Sequence, residues 1–391
     1  MSGWPQLLAG LIALACCQAL SAADFIAGNG FEAGCDADRD GDRLPDCVET
    51  ADGRFLSPLA TGTRPELADS DRDGIDDGDE VHGSLGGLDL PALGANPNRR
   101  NLYLELDWVD DEADCGPHSH RPSLAVVSQL EQYFATLPIA NPDGSQGIDL
   151  RIDIGQGGLL QGGNQVPDFD GILLGGLSPG GEYWTLKAQH FDARRAGYFR
   201  YGILAHRYGT VNNQSSGEAE TPGDDLIVSL QCLGSEAFVR NTVLHELGHN
   251  LGLRHGGAQD CNDKPNYNSV MNYRFHFAGT DHNCELPGDG GFGYSGGLRP
   301  ALNEAALDEA AGICGLAAGR AQDWNGDGDI SAPVSANINP AESQQIPRCG
   351  AVLSWLPDHN DIQALDLGAL SAGSRSEARR SQCPGVAERA W

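Results

Sequence analysis

Positive charge is scarce in this sequence. Its 55 Asp and Glu face 25 Lys and Arg, with only two lysines (Lys187 and Lys264) in 391 residues, for a formal net charge of −30. Nucleic acid and anionic membrane surfaces would repel such a chain, which argues against both as partners. Long apolar runs are scarce too. Leu7 to Leu20 is nearly continuous apolar sequence, but it falls short of the roughly 20 residues a membrane span needs. It reads as a secretory signal over 1–23, with the small residues Ser21-Ala22-Ala23 before Asp24, although no Lys or Arg precedes it. No membrane span is expected once it is removed. Among eleven cysteines there is no Cys-x-x-Cys pair, which speaks against a zinc ribbon. Cys16 and Cys17 lie in the signal, so nine remain, an odd number. Export makes disulfides expected, with Cys35–Cys47 and Cys261–Cys284 as plausible local pairs.

What is present is glycine, 53 residues of it, and aspartate in clusters. Residues 24–98 are rich in Asp, Gly and Pro and poor in periodic apolar pattern. At Arg99 the texture changes. Asn101 to Val109 alternates like a half-buried strand, and Gly147 to Ile154 alternates again. Between them Leu124, Val127, Leu130 and Phe134 have helical spacing, with Pro122 near the first turn. Tyr198 to His206 and Asp225 to Leu230 read as strands, and Ser235 to Leu251 as a helix with a Ser cap. That order predicts an α+β domain, a mixed twisted sheet under two long helices. About forty Gly- and Asn-rich residues follow with little regular structure, then a helix over Leu302 to Ala318. The resulting plan is a signal (1–23), an Asp-rich segment (24–98), a main domain (99–300), an extension (301–370) and a polar tail (371–391).

The second helix carries the chemistry. His245 and His249 are four residues apart, so a helix presents both imidazoles to one point, one turn apart. Glu246 sits beside the first, placed to act as general base on a water. Gly252 is the residue type that ends a helix in a left-handed conformation, redirecting the chain so that His255 can supply a third metal ligand. Each fixed position of His245-Glu246-x-x-His249-x-x-Gly252-x-x-His255 therefore has a geometric reason. The structural alternative, a core helix that happens to carry three histidines, leaves the Glu and Gly unexplained.

That run, followed by Met271 in Ser269-Val270-Met271-Asn272-Tyr273, resembles the metzincin zinc peptidases, whose defining pair is this eleven-residue motif and a Met-containing turn. The resemblance covers roughly Arg99 to Tyr273. It implies a secreted or periplasmic zinc endopeptidase acting on protein or peptide, with His245, His249 and His255 as zinc ligands. It also implies Glu246 as base, Met271 as the apolar floor, and Tyr273, as in astacins and serralysins, as a donor to the developing oxyanion. Such enzymes pair extended substrate with an edge strand. Many are held latent by a propeptide, here residues 24–98, with Cys35, Cys47 or the nearby Cys115 as blocking thiolate.

Two acidic runs have the spacing that wraps oxygens round calcium. Asp69, Asp71, Asp73, the Ile75 carbonyl, Asp77 and Glu80 form one loop, with Gly74 at its turn. Asp38, Asp40, Asp42, Asp46 and Glu49 form another, with Arg43 where Gly is usual. No convincing helix flanks either, and both resemble thrombospondin type 3 repeats. Asp323, Asn325, Asp327 and Asp329 open a third loop that ends in Val334 and is at best partial. Calcium there would be structural. The competing reading of the whole is a calcium-stabilised surface adhesin whose peptidase fold is inactive.

Overall fold

The computed structural model describes residues 35–339, apart from 113, 169, 233 and 287, and residues 353–369. The signal (1–23) and polar tail (371–391) expected above lie outside the described residues. In chain order the elements begin with α1 (Asp77–His82), β1 (Asn101–Trp108), β2 (Asp110–Asp111), β3 (His118–Ser119), α2 (Leu124–Ala135) and β4 (Asp149–Asp153). Next come β5 (Ile172–Leu174), α3 (Glu182–His190), β6 (Phe199–Ala205), β7 (Arg207–Gly209), β8 (Gly217–Ala219), β9 (Asp225–Ser229) and α4 (Glu236–Asn250). The short elements α5 (Tyr273–His276), β10 (Leu302–Asn303), β11 (Trp355–Leu356) and α6 (Asp361–Ala364) close the described chain. None of these helices is long and apolar enough to cross a membrane.

The main sheet has the order β4-β1-β6-β9-β8. Its strands are parallel except β8, which runs antiparallel to β9 and forms an edge. Strand β1 is buried along all eight residues, not on one face alone. Leu102, Leu104 and Leu106 turn toward α2 and α4, joining Val127, Leu130, Phe134, Val243 and Leu247 in one core. The opposite face carries Glu105 and Asp107, which alternation alone marks as solvent-facing. Chain beyond β4 covers them. Arg195 pairs with Glu105 and Asp153, and the Tyr201 hydroxyl and Asn164 N–H donate to Asp107. Such partners make the buried carboxylates tolerable, although Glu105 Oε1 is left without a hydrogen bond.

Both long helices begin at serine caps, whose hydroxyls accept the N–H of Val126 (from Ser123) and of Phe238 (from Ser235). The two starts are tied together, since the Ser123 hydroxyl donates to Glu236 at 2.7 Å. The sequence reading missed α3, whose inward face holds only Tyr183 and Leu186, too few for a periodic signal. It also missed β7 and β8, each three residues long.

Several expectations need correction. Leu302 to Ala318 is not a helix: it holds β10, turns and a single 3-10 turn at Leu316–Ala318. Gly312 and Gly315 adopt φ of +54° and +84°, values a right-handed helix excludes. Glu304 and Glu309 there accept backbone N–H groups from distant chain, at Ile338, Ser354, Trp324 and Ser331. The second correction concerns the acidic loops, since a helix, α1, does begin within the second of them, its first turn rich in Asp and Glu.

Cys35 pairs with Cys47 as expected. Cys284, however, joins Cys314 and not Cys261, which is itself in a disulfide, and Cys115 joins Cys232. With Cys35, Cys47 and Cys115 all oxidised, none is a free thiolate able to block a metal. The expected thiol latency is therefore overturned for this form of the chain.

The Asp-rich segment packs on the sheet. Ile75, Leu88, Leu90 and Leu93 share a core with Tyr103, Tyr198 and Phe199, and Asn101 N–H, at the start of β1, donates to Asp73 at 2.6 Å. Both lysines are internal as well. Lys187 pairs with Asp225 at 2.6 Å, and Lys264 is fully buried, donating to the carbonyls of Gly256 and Pro357.

Candidate metal centre

Helix α4 buries everything from Asn241 onward, so its histidines point into protein and not water. Nε2 of His249 lies 3.2 Å from Nε2 of His245 and 3.1 Å from Nε2 of His255. Tetrahedral ligands about 2.0–2.1 Å from zinc stand about 3.3 Å apart, so the three nitrogens have the spacing of a zinc site. The turn that brings His255 in is the one foreseen. Helix α4 ends at Asn250, Gly252 has φ +88°, and Gly252 and Leu253 N–H donate to the carbonyls of His249 and Gly248.

The other ring nitrogens are anchored. His245 Nδ1 lies 2.7 Å from the Val270 carbonyl, and His249 Nδ1 lies 2.9 Å from the Leu253 carbonyl. A carbonyl partner assigns the proton to Nδ1 and leaves the Nε2 lone pair directed at the shared point. Burial lowers all three basicities, that of His255 to about 4 and that of His245 well below its ordinary value, with neighbouring histidines adding to it at those two. Neutral imidazole is the ligating form, so the donor set fits a borderline-soft ion such as zinc.

Glu246 is buried beside them, and burial, then the nearby Glu218, raises its carboxyl well above the usual range. Strand β8 passes directly over it. A Cβ on Gly217 would collide with the Glu246 carboxyl, so glycine lets the edge strand lie against the base. The Tyr208 hydroxyl donates to the Gly217 carbonyl at 2.6 Å and steadies that strand.

Met271 is fully buried beneath α4. A Cβ on Gly248, between the two helical histidines, would run into its sulfur. The adjacent Val270 supplies the carbonyl that orients His245, so one turn provides both floor and anchor. Tyr273 has its ring centroid 4.6 Å from that of His255 and 5.9 Å from that of His245. Burial, then Glu246, pushes its hydroxyl up to about 12, which keeps it a hydrogen-bond donor at neutral pH.

Sequence reasoning missed several contributors. His276 stacks on His245 at 4.5 Å and 10° between planes, with its Nε2 3.0 Å from the Thr242 hydroxyl. Asp361 is buried behind the Met271 turn and accepts from the hydroxyls of Tyr267 and Ser269 and from Ser295 N–H. It lies more than ninety residues downstream, where spacing carries no signal.

The acidic loops form three close groups: Asp38, Asp40 and Asp42; Asp42, Glu49 and Asp77; and Asp69, Asp71 and Asp73. Asp77 thus bridges the two loops, while Asp46 accepts from the Arg39 guanidinium. Ile75 turns its side chain into the core and donates its N–H to Asp73. Asp42, Glu49, Asp71, Asp77 and Glu80 each retain a buried oxygen without a hydrogen-bond partner. Burial, then neighbouring carboxylates, pushes Asp71 up to about 10, Asp73 to about 7 and Glu80 well above its usual value. In Asp77 and Asp42, raised to about 8 and about 7, burial again dominates. The third run differs. Asp323 accepts Gly326 and Gly328 N–H, Asp327 accepts Asp329 N–H, and Asn325, Asp327 and Asp329 are exposed.

No family model matches the chain, and no curated protein does. Among solved structures it is similar to archaemetzincin from Methanopyrus kandleri, at 18% identity and a TM-score of 0.26, over 44% of this chain and 81% of that one. So faint a likeness assigns neither fold nor chemistry to this chain.

Proposed function

We propose that this protein is a zinc-dependent endopeptidase exported from the cell. The observation that carries the reading is the convergence of three neutral Nε2 atoms with a buried Glu246 at a sheet edge. His245, His249 and His255 would hold zinc, which when bound would supply Lewis acidity and lower the pKa of a bound water to about 7. The chain's own groups do the rest. An extended peptide adding to β8 brings its backbone past Gly217 and so past the Glu246 carboxyl. Glu246, made more basic by burial, takes the proton of the attacking water and then passes it to the leaving amine. Tyr273 donates its hydroxyl hydrogen to the oxygen that gains charge. Met271 and His276 pack the ligands from below and behind, so the donor atoms stay in place through turnover.

The Asp38–Glu49 and Asp69–Glu80 loops take calcium in this reading. All their donors are oxygen, which suits a hard cation, and their orphaned buried oxygens require positive charge. The role is structural, because the Asp69–Glu80 loop packs Ile75 against the sheet and the Asp38–Glu49 loop packs Leu44 and Val48 against α1. The Cys35–Cys47, Cys115–Cys232 and Cys284–Cys314 disulfides accord with an oxidising compartment.

The test is hydrolysis of casein by the full chain, with a chelator, after zinc is restored, and with Glu246→Ala. Hydrolysis that vanishes with chelator, returns with zinc and is absent in the variant supports the reading. Undiminished hydrolysis by Glu246→Ala defeats the mechanism, and a zinc-loaded wild type without turnover favours the adhesin.

A further inference from the structure

A second group of histidines lies far from α4 in sequence and takes no part in the chemistry above. Asp111 in β2, His118 in β3, His120 just after it, and His206 just after β6 bring one carboxylate and three imidazoles together, with a ligand atom from each within 4.8 Å of the others. We infer that these four residues form a second zinc site, a closed structural one that fastens the β2–β3 hairpin to the end of β6.

Hydrogen bonds account for part of the cluster and leave the buried His206 Nδ1 over. His120 Nε2 stands 2.7 Å from Asp111 Oδ2. His118 Nδ1 meets the Gly116 carbonyl at 2.8 Å, which leaves its Nε2 to ligate, and His206 Nδ1 stands 3.7 Å from Asp111 Oδ1. That is too long for a hydrogen bond, but close to the separation of two ligands sharing one tetrahedral metal, about 3.3–3.6 Å. The His206 side chain is wholly buried, and its Nδ1 has no hydrogen-bond partner. Its other nitrogen, Nε2, lies 3.3 Å from Asp114 Oδ2, the outer contact that would leave the Nδ1 lone pair facing inward. The Asp111 side chain is also wholly buried and that of His120 nearly so, while His118 is the most open of the four. The three rings sit mutually edge-on, with centroids 4.6, 5.6 and 5.8 Å apart.

The backbone is shaped to the cluster. A Cβ on Gly171, which has φ +69°, would press on the Asp111 carboxylate and the His206 side chain. The Cys115–Cys232 disulfide ties the same hairpin to the chain just after β9. Covalent bond and metal thus secure one loop from two sides. His118 and His120 also line a cleft of about 470 Å³ with Val126, Leu204 and Leu230, so the site would set the form of that wall. Three nitrogens and one oxygen select zinc over calcium, and four protein ligands leave no open position for substrate.

The experiment is metal analysis of the full chain, dialysed with zinc and excess calcium and then freed of unbound ions. Wild type is expected to hold two zinc per chain. His245→Ala/His249→Ala, which dismantles the first centre, is expected to retain one. Its X-ray absorption spectrum should show three imidazoles and one carboxylate. His120→Ala/His206→Ala should also retain one, in the three-histidine centre. A zinc-free His245→Ala/His249→Ala protein overturns the inference, as does a His120→Ala/His206→Ala protein that keeps two. Should the latter variant not fold, the former decides alone. Neither readout depends on peptidase activity, so failure of the proposed function and failure of this site are distinguishable.

Discussion

The histidine centre on α4 and the acidic loops at its far end of the chain solve opposite problems. The imidazoles of His245 and His249 are anchored by backbone carbonyls and held on a rigid helix, so their orientation is set without an ion. The loop carboxylates are crowded and buried with unmatched oxygens, so their geometry is costly until a cation arrives. One site is preorganised for chemistry, and the other makes stability conditional on its surroundings. Both are readable as motifs, yet only the structure shows this difference in electrostatic state.

The comparison predicts effects of graded size. The largest is on turnover. Glu246→Gln should lower kcat/KM for a peptide by about 10²- to 10⁴-fold, while zinc content and melting temperature stay near wild type. Loss of zinc in that variant would instead place Glu246 among the ligands.

Removing calcium should act on stability and not on chemistry. At calcium about a thousandfold above Kd, binding contributes about 4 kcal/mol, which a calcium-selective chelator should abolish, lowering the melting temperature by several degrees. The pH dependence should then invert. Folded Asp73, Asp77 and Asp42 titrate at about 7, about 8 and about 7, above an unfolded value of about 3.9. Between about pH 4 and pH 7 the metal-free folded chain therefore binds more protons than the unfolded one. Its stability falls as pH rises through that window. With calcium bound, protons compete with the ion and stability should rise with pH. Melting curves at about pH 5 and pH 7, with and without calcium, check the crossing. Parallel curves would exclude cation-linked loops.

Asp361→Ala comes next. It strands the hydroxyls of Tyr267 and Ser269 and the N–H of Ser295, at a cost of about 2–3 kcal/mol, measurable by denaturant unfolding. Because those groups hold the turn that anchors His245, zinc affinity should weaken with stability. Tyr273→Phe, which removes one oxyanion donor, completes the series and is expected to lower kcat by about 10²-fold with KM unchanged. A larger rise in KM would make Tyr273 a substrate-binding residue instead.

Legibility followed sequence distance. His245, His249, Gly252 and His255 lie in one run, and helix geometry with one left-handed turn suffices to assemble them. The strands from Asn101 and Asp149 showed because their apolar residues alternate, and that from Asp225 because it is a short apolar run. The polar face of β1 misled, since Glu105 and Asp107 look solvent-facing until Arg195 and Tyr201 arrive from elsewhere. Leu302 to Ala318 misled in the other direction, because apolar spacing says nothing of carboxylates recruited to distant N–H groups.

Local order, then, was the sequence's own to determine: the metal-binding helix and its glycine exit, the strand periods, and the oxygen spacing of the acidic loops. Each depends on bond geometry over a dozen residues or fewer. The tertiary structure decided which cysteines meet, which strand lies over Glu246, that Asp77 joins the two acidic loops, and that Asp111 and His206 approach across the sheet. Those depend on packing between segments remote in the chain, where spacing carries no geometric constraint and only the folded core sets the distance.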